Sequence, residues 1–146
     1  MSSELKGIVI GGLLPAVLYG VTGIFQKMSA DAEGGAGMYL IFLGVGTVIV
    51  GAVFHFVLPE PPIGFRPASF ALAAGISFSL GAGLISLALI KHQAAISQLT
   101  PLYNMNVLVT VLIGLVAFAE YQDLHVLRLL GGTVLLVGGA LLVAGA

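Results

Sequence analysis

Five apolar runs, each close to the length that crosses a bilayer, take up nearly the whole chain: residues 7–28, 37–58, 68–90, 95–119 and 126–144. A spanning helix needs about 20 predominantly apolar residues. The expected fold is therefore an all-α membrane protein, with five transmembrane helices in a single domain over residues 1–146. Composition supports this. Only 8% of residues are charged and 59% are hydrophobic, whereas a soluble domain carries about 25% charged residues. So few charges cannot cover a water-facing surface. A net charge of -1 leaves no basic footprint for nucleic acid. Without cysteine there are no disulfides and no thiolate metal sites.

Short linkers join the runs: "SADAEGGA", "PEPPIGFRP", "KHQ" and "EYQDLH". The second holds four of the six prolines and reads as an extended turn. The third is short enough to make a tight antiparallel hairpin of spans three and four. The start, "MSSELK" and then an apolar run, reads as a retained first helix, because the run is too long for a signal-peptide core. No internal repeat or low-complexity segment is evident.

Five spans put the two ends of this sequence on opposite sides of the membrane. Orientation follows the Lys/Arg bias of the loops. Lys6, Arg66 and Arg128 fall on one side, and Lys27 and Lys91 on the other. Three against two is almost no bias. A chain so balanced can insert both ways, and two opposed copies make an inverted-repeat dimer. The plainer alternative is one orientation fixed by weak signals or by a partner.

Helical spacing sorts the small and polar residues. In the first span Gly12, Pro15, Tyr19, Thr22, Gly23 and Gln26 share a stripe. Gly44, Thr47, Gly51 and His55 do so in the second, and Gly75, Ser79, Gly83 and Ser86 in the third. In the fifth, Gly131, Gly138 and Gly145 recur every seven residues. Small faces let helix backbones approach closely in lipid, so the third and fifth stripes read as packing or dimerisation seams. The first stripe ends in groups able to line a cavity as well as to pack. His55 reads as an interfacial, solvated histidine.

The fourth span opens with "SQLTPLYNMN". Ser97, Thr100, Pro101 and Asn104 cluster on one face, with Tyr103, Asn106 and Thr110 on the adjoining one. Pro101 has no N–H and frees the carbonyl of Ser97. In hydrocarbon such groups need protein, water or ligand partners. One asparagine can tie two helices together. Two asparagines with a tyrosine and a freed carbonyl fit the wall of a polar cavity better.

Other classes find little support. "EYQDLH" places Glu120, Asp123 and His125 within six residues, which reads as a solvated turn with a helix cap at Asp123 rather than as metal or acid-base chemistry. "GISFSLG" is not a nucleophile elbow, since Ser79 stands where the second glycine belongs. There is no glycine-rich phosphate loop and no ring of charges for a channel. The chain reads as neither an enzyme nor a cofactor protein, and no metal site is expected.

"AAISQLTPLYNMNVLVTVLIGLVAFAE" followed by "LLGGTVLLVGGALLV" resembles the drug/metabolite transporter superfamily, in its EamA domain. The matching features are Pro101 early in the fourth helix, Gly114 in its middle, Glu120 at its end, and Gly131, Gly138 and Gly139 in the fifth. "VLYGVTGIFQK" is similar to the family's first helix, with Tyr19, Gly20 and Lys27 in the matching places. The resemblance spans nearly the whole chain. It implies one five-helix repeat, half of a two-repeat transporter with inverted repeats around a central cavity. The related small multidrug resistance proteins use a membrane-embedded glutamate in their first helix. This chain has no acid there or deep in any span, which argues against proton-coupled drug efflux and polycation recognition.

The resulting expectation is a homodimeric half-transporter in the cell membrane, moving a small polar or zwitterionic metabolite by alternating access. Asn104, Asn106, Tyr103, Gln98, Tyr19, Thr22 and Gln26 are the candidate substrate contacts. Gly131, Gly138 and Gly145 are the candidate dimerisation stripe. The alternative is a non-transporting or accessory subunit that pairs with a different five-helix partner.

Overall fold

The computed structural model describes residues 3–119 and 125–145. They are all-helical, with no strand among the described residues. Five helical spans are long and apolar enough to cross a membrane: Leu5–Asp31, Ala36–Val57, Phe65–Lys91, Ile96–Ala117 and Val126–Ala144. The chain has the form of a multi-pass membrane protein. Its residues fall into two compact units, divided after Gln93.

The first unit holds α1 (Ser3–Ile8), a π-turn (Val9–Leu13), α2 (Leu14–Asp31), α3 (Ala36–Val57) and α4 (Phe65–Lys91). The first three form one span with a widened turn in it. At the end of that turn the Leu14 N–H donates to the Val9 carbonyl, five residues back. Pro15 follows directly, and the widened turn before it lets the span keep its helical course past a residue that has no N–H to donate.

At its far end α2 closes on a Schellman motif. Glu33 N–H donates to Ala30 O (3.2 Å) and Gly34 N–H to Ser29 O (2.9 Å). The left-handed residue is Glu33, with φ 58°. Gly34 is needed for a different reason: a Cβ there would lie 2.5 Å from the Ser29 carbonyl oxygen. Helix α4 begins at Phe65, three residues before the expected start at 68, and takes Pro67 into its first turn. The proline was read as linker; at a helix start its lost N–H costs nothing.

Polar and small groups join α2 to α4. Gly23 and Gln26 of α2 are buried, as are Ala82, Ser86 and Leu89 of α4. Gly83 takes the side chain of Leu40 from α3, whose Cδ1 lies 3.2 Å from where a Cβ would stand. Only the second half of the Gly75–Ser79–Gly83–Ser86 stripe is packed in this way. Gly75 is exposed, with open space where a Cβ would stand.

The second unit holds α5 (Ile96–Tyr103), α6 (Asn106–Ala117) and α7 (Val126–Ala144). The expected fourth helix, 95–119, is thus two helices with a turn at Asn104 and Met105. Helix α7 packs against both. Its buried residues are Thr133 and Ala140, seven apart and therefore on one stripe. The "EYQDLH" reading of Glu120 and Asp123 lies outside the described residues.

Candidate functional site

The turn that divides the fourth span brings several neutral polar groups together. Helix α5 ends on Tyr103. Asn104 follows with ψ -8° and Met105 with ψ -9°, close to the tighter 3₁₀ geometry. The hydrogen bonds shorten to match. Met105 N–H donates to Leu102 O (3.1 Å), Val107 N–H to Asn104 O (3.2 Å) and Leu108 N–H to Met105 O (3.0 Å), each three residues back. In an uninterrupted α-helix Met105 and Val107 would instead serve the carbonyls of Pro101 and Tyr103. Those two carbonyls lose their helical donors. The carbonyl of Ser97 loses its own because Pro101 has no N–H.

Local sequence explains why the helix breaks here. Proline excludes one bond, and asparagine competes for its own backbone outside helical geometry. After Asn106 the chain reads "VLVTVLIGLVA", with neither proline nor asparagine, and α6 proceeds.

The side chains divide into two groups. Thr100 Oγ1 donates to Ile96 O (2.7 Å), and the Tyr103 hydroxyl donates to Thr100 Oγ1 (3.3 Å). Asn104, Asn106, Ser97 and Gln98 have no hydrogen-bond partner among the described residues. Asn104, Asn106 and Ser97 are exposed, and Gln98 is partly buried. Asn104 follows Ile96, the start of the span, by eight residues, about 12 Å along a helix axis. The polar turn therefore falls near the middle of this 22-residue span.

The candidates of the first span behave otherwise. Gln26 is buried, and its Nε2 donates to both Ala82 O and Ser86 Oγ at 2.9 Å. The structure brings it into the α2–α4 seam. Thr22 Oγ1 donates to its own helix, at Leu18 O (2.9 Å). Tyr19 is exposed, with no hydrogen-bond partner for its hydroxyl among the described residues.

In α7, Gly131, Gly138 and Gly145 are all exposed. On a helix Gly131 and Gly138 lie on the side opposite Thr133 and Ala140. Each has open space where a Cβ would stand. The seven-residue glycine stripe is therefore not the seam that packs α7 within its own unit. His55 is exposed, with Nδ1 3.1 Å from Glu60 Oε2. No group of three His, Cys, Asp or Glu is placed to hold a metal among the described residues.

Sequence reasoning anticipated the freed Ser97 carbonyl but not those of Pro101 and Tyr103. The available signal was the Asn104-Met105-Asn106 triplet three residues after a proline, a pattern that invites the chain to leave helical geometry.

No protein-family model matches the chain, and no curated protein or solved structure is significantly similar to it.

Proposed function

We propose that this chain is a half-transporter of the drug/metabolite transporter type, which moves a small polar or zwitterionic metabolite across the cell membrane. One observation carries the reading. The fourth span unwinds part-way along its length, leaves two asparagine amides without a partner among the described residues, and takes the usual helical donors from three backbone carbonyls. Hydrocarbon does not tolerate such groups, and non-helical backbone at membrane depth occurs where it is buried in protein or lines a water-filled cavity. Discontinuous helices of this kind form the midplane binding sites of secondary transporters.

Of the candidate contacts, Asn104, Asn106, Gln98 and Tyr19 retain polar groups free to meet a solute. Gln26, Thr22 and Tyr103 already donate elsewhere, and their role in binding is secondary. The near-balance of Lys and Arg between the two sides favours insertion in both orientations. An antiparallel homodimer then forms, with Gly131, Gly138 and Gly145 in the contact between copies. The open space over Gly131 and Gly138 admits a close helix from a second chain.

The test is uptake of polar and zwitterionic metabolites by proteoliposomes, with thermal stabilisation of the purified chain as a second readout. A saturable, stereoselective solute supports transport. Empty and loaded vesicles that behave alike across the whole panel rule it out. Gly138→Leu addresses the pairing separately: it should convert the dimer to monomer in detergent and lipid, and an intact oligomer would place the contact elsewhere.

A further inference from the structure

We infer that the groove between α3 and α4 is a binding site for one chain of a zwitterionic phospholipid, whose phosphate is held at the mouth of the groove by Lys91 and the start of α3. The inference stands without the transport reading.

The groove exists because the two helices touch along only part of their length. Leu40 of α3 meets Gly83 of α4. The helices run antiparallel, so Gly44 comes level with Ser79, and Val48 with Gly75, one and two turns further on. There the seam opens. A Cβ at Gly44 or Gly75 would meet nothing within 4 Å. The result is a cleft of about 960 Å³, at the upper end of the range for small-molecule sites, about 300–1,000 Å³. Thr47 and Ser79 are the only polar side chains among the described residues that line it. The Thr47 hydroxyl donates to Leu43 O in its own helix at 3.0 Å. A polar solute finds little to bond there, whereas a hydrocarbon chain finds an apolar trough with bare backbone at two glycines.

The extent of the groove favours a lipid chain over a second helix. It starts at Ala36, the first residue of α3, and reaches Val48, about 18 Å along the helix axis. Helix α3 itself continues to Val57, and a spanning helix from a second copy would run on beside it. One leaflet of a hydrocarbon core about 30 Å thick is about 15 Å deep, which matches a single chain entering at the Ala36 end.

The mouth carries charges to suit. By the same register Ala36 comes level with Leu87, and Lys91 lies one turn beyond Leu87 on the same face of α4. Lys91 is exposed and has no ion pair among the described residues. Helix α3 begins with no side-chain cap and no acid in its first turn, so its first N–H groups and the positive end of its dipole are open to an anionic oxygen. Lys27 and Asp31, at the same end, neutralise each other. Glu33, three residues before Ala36, is exposed and has no ion pair among the described residues. One spare charge of each sign suits a headgroup that carries both a phosphate and an amine.

The test is native mass spectrometry of the purified full chain in detergent, titrated with phosphatidylethanolamine, phosphatidylglycerol and diacylglycerol of identical chains. One lipid per chain should be retained, with phosphatidylethanolamine bound most tightly. Gly75→Leu fills open space and should weaken all three by about tenfold, with helix content and oligomer unchanged. Lys91→Gln should remove the advantage over diacylglycerol, and Arg66→Gln, at the other end of α4, should leave it intact. If Gly75→Leu does not fold, the unaltered chain decides the matter with a phosphatidylethanolamine that bears a diazirine midway along one chain. Its label should fall within 36–48 and 71–87 and be displaced by unlabelled lipid. No stoichiometric lipid, label elsewhere, or unchanged retention in Gly75→Leu overturns the inference. A Gly75→Leu variant that loses its oligomer and keeps its lipid gives the groove to a second copy instead. Phosphatidylglycerol bound as tightly as phosphatidylethanolamine, or a preference that survives Lys91→Gln, overturns the headgroup assignment.

Discussion

Gln26 and Asn104 carry the same amide on spans that each contain a proline, and their surroundings treat them in opposite ways. Around Gln26 the first unit closes. Gly23 and Ala82 are small enough to bring α2 and α4 together, and the amide finds a carbonyl and a hydroxyl at 2.9 Å. Around Asn104 the backbone itself opens, and the amide is left exposed beside carbonyls that have lost their donors. The two prolines show the same contrast. Pro15 falls at the start of α2, after a π-turn whose bonds reach five residues back, and the span continues. Pro101 falls inside α5 and is followed within three residues by Asn104, and the span breaks. A polar residue or a proline in a transmembrane helix is thus not a functional signal by itself. It becomes one when the neighbouring helix does not supply its partner.

The comparison breaks most readily at Pro101. Pro101→Ala restores a donor for Ser97 O and removes the ring that excludes it. An interior helical proline costs about 3 kcal/mol. The expected result is a gain of about 2 kcal/mol in stability with loss of most solute uptake, measured by thermal unfolding and by proteoliposome flux. A variant that gains stability and transports normally would make the break incidental.

Asn104→Ala comes next. Binding of solute should weaken at least tenfold, about 1.4 kcal/mol, with stability changed by less than about 0.5 kcal/mol, because the amide has no partner among the described residues to lose. Asn106→Ala should be milder on both counts. If Asn104→Ala lowers stability and leaves binding per folded molecule unchanged, the amide is a packing group after all.

Gln26→Ala should give the reverse pattern. Interhelical hydrogen bonds in membranes average about 0.6 kcal/mol, so losing two costs about 1 kcal/mol of stability. Affinity per folded molecule should hold. A selective loss of affinity would show that the Gln26 amide reaches solute as well as α4.

Pro15→Ala should have the smallest effect, below about 0.5 kcal/mol in stability, since the π-turn at Val9–Leu13 already accommodates the ring and the span stays helical around it. Uptake should be unchanged. Impaired uptake here would promote the π-turn at Val9–Leu13 from a spacer to a moving part.

Much of the architecture was readable before any coordinates. Hydropathy alone located the spans, and the fifth was bounded correctly at Val126 and Ala144. Pro67 shows where such reading stops. Proline in a Pro-rich stretch reads as linker, but a helix can begin before it because its first turn has no use for that N–H. The α5–α6 turn was half legible. Pro101 announced one freed carbonyl, whereas the change to three-residue bonds at Met105 and Val107 depends on backbone angles that no residue type dictates. The role of Gln26 was not legible, because its partners lie 56 and 60 positions away.

By itself the amino-acid sequence determined that the chain is a five-span helical membrane protein with its polar side chains concentrated in the first and fourth spans. That follows from length, composition and the cost of unpaired backbone in hydrocarbon, all of which are properties of residues and solvent. Only the tertiary structure decided which polar groups are taken and which are free. A hydrogen bond is made by two partners, and a sequence names only one of them at a time. Small residues at Gly23 and Ala82 became a seam because two helices met there. Gly131 and Gly138, no larger, remained open because within their own unit α7 turns its Thr133 and Ala140 face inward instead.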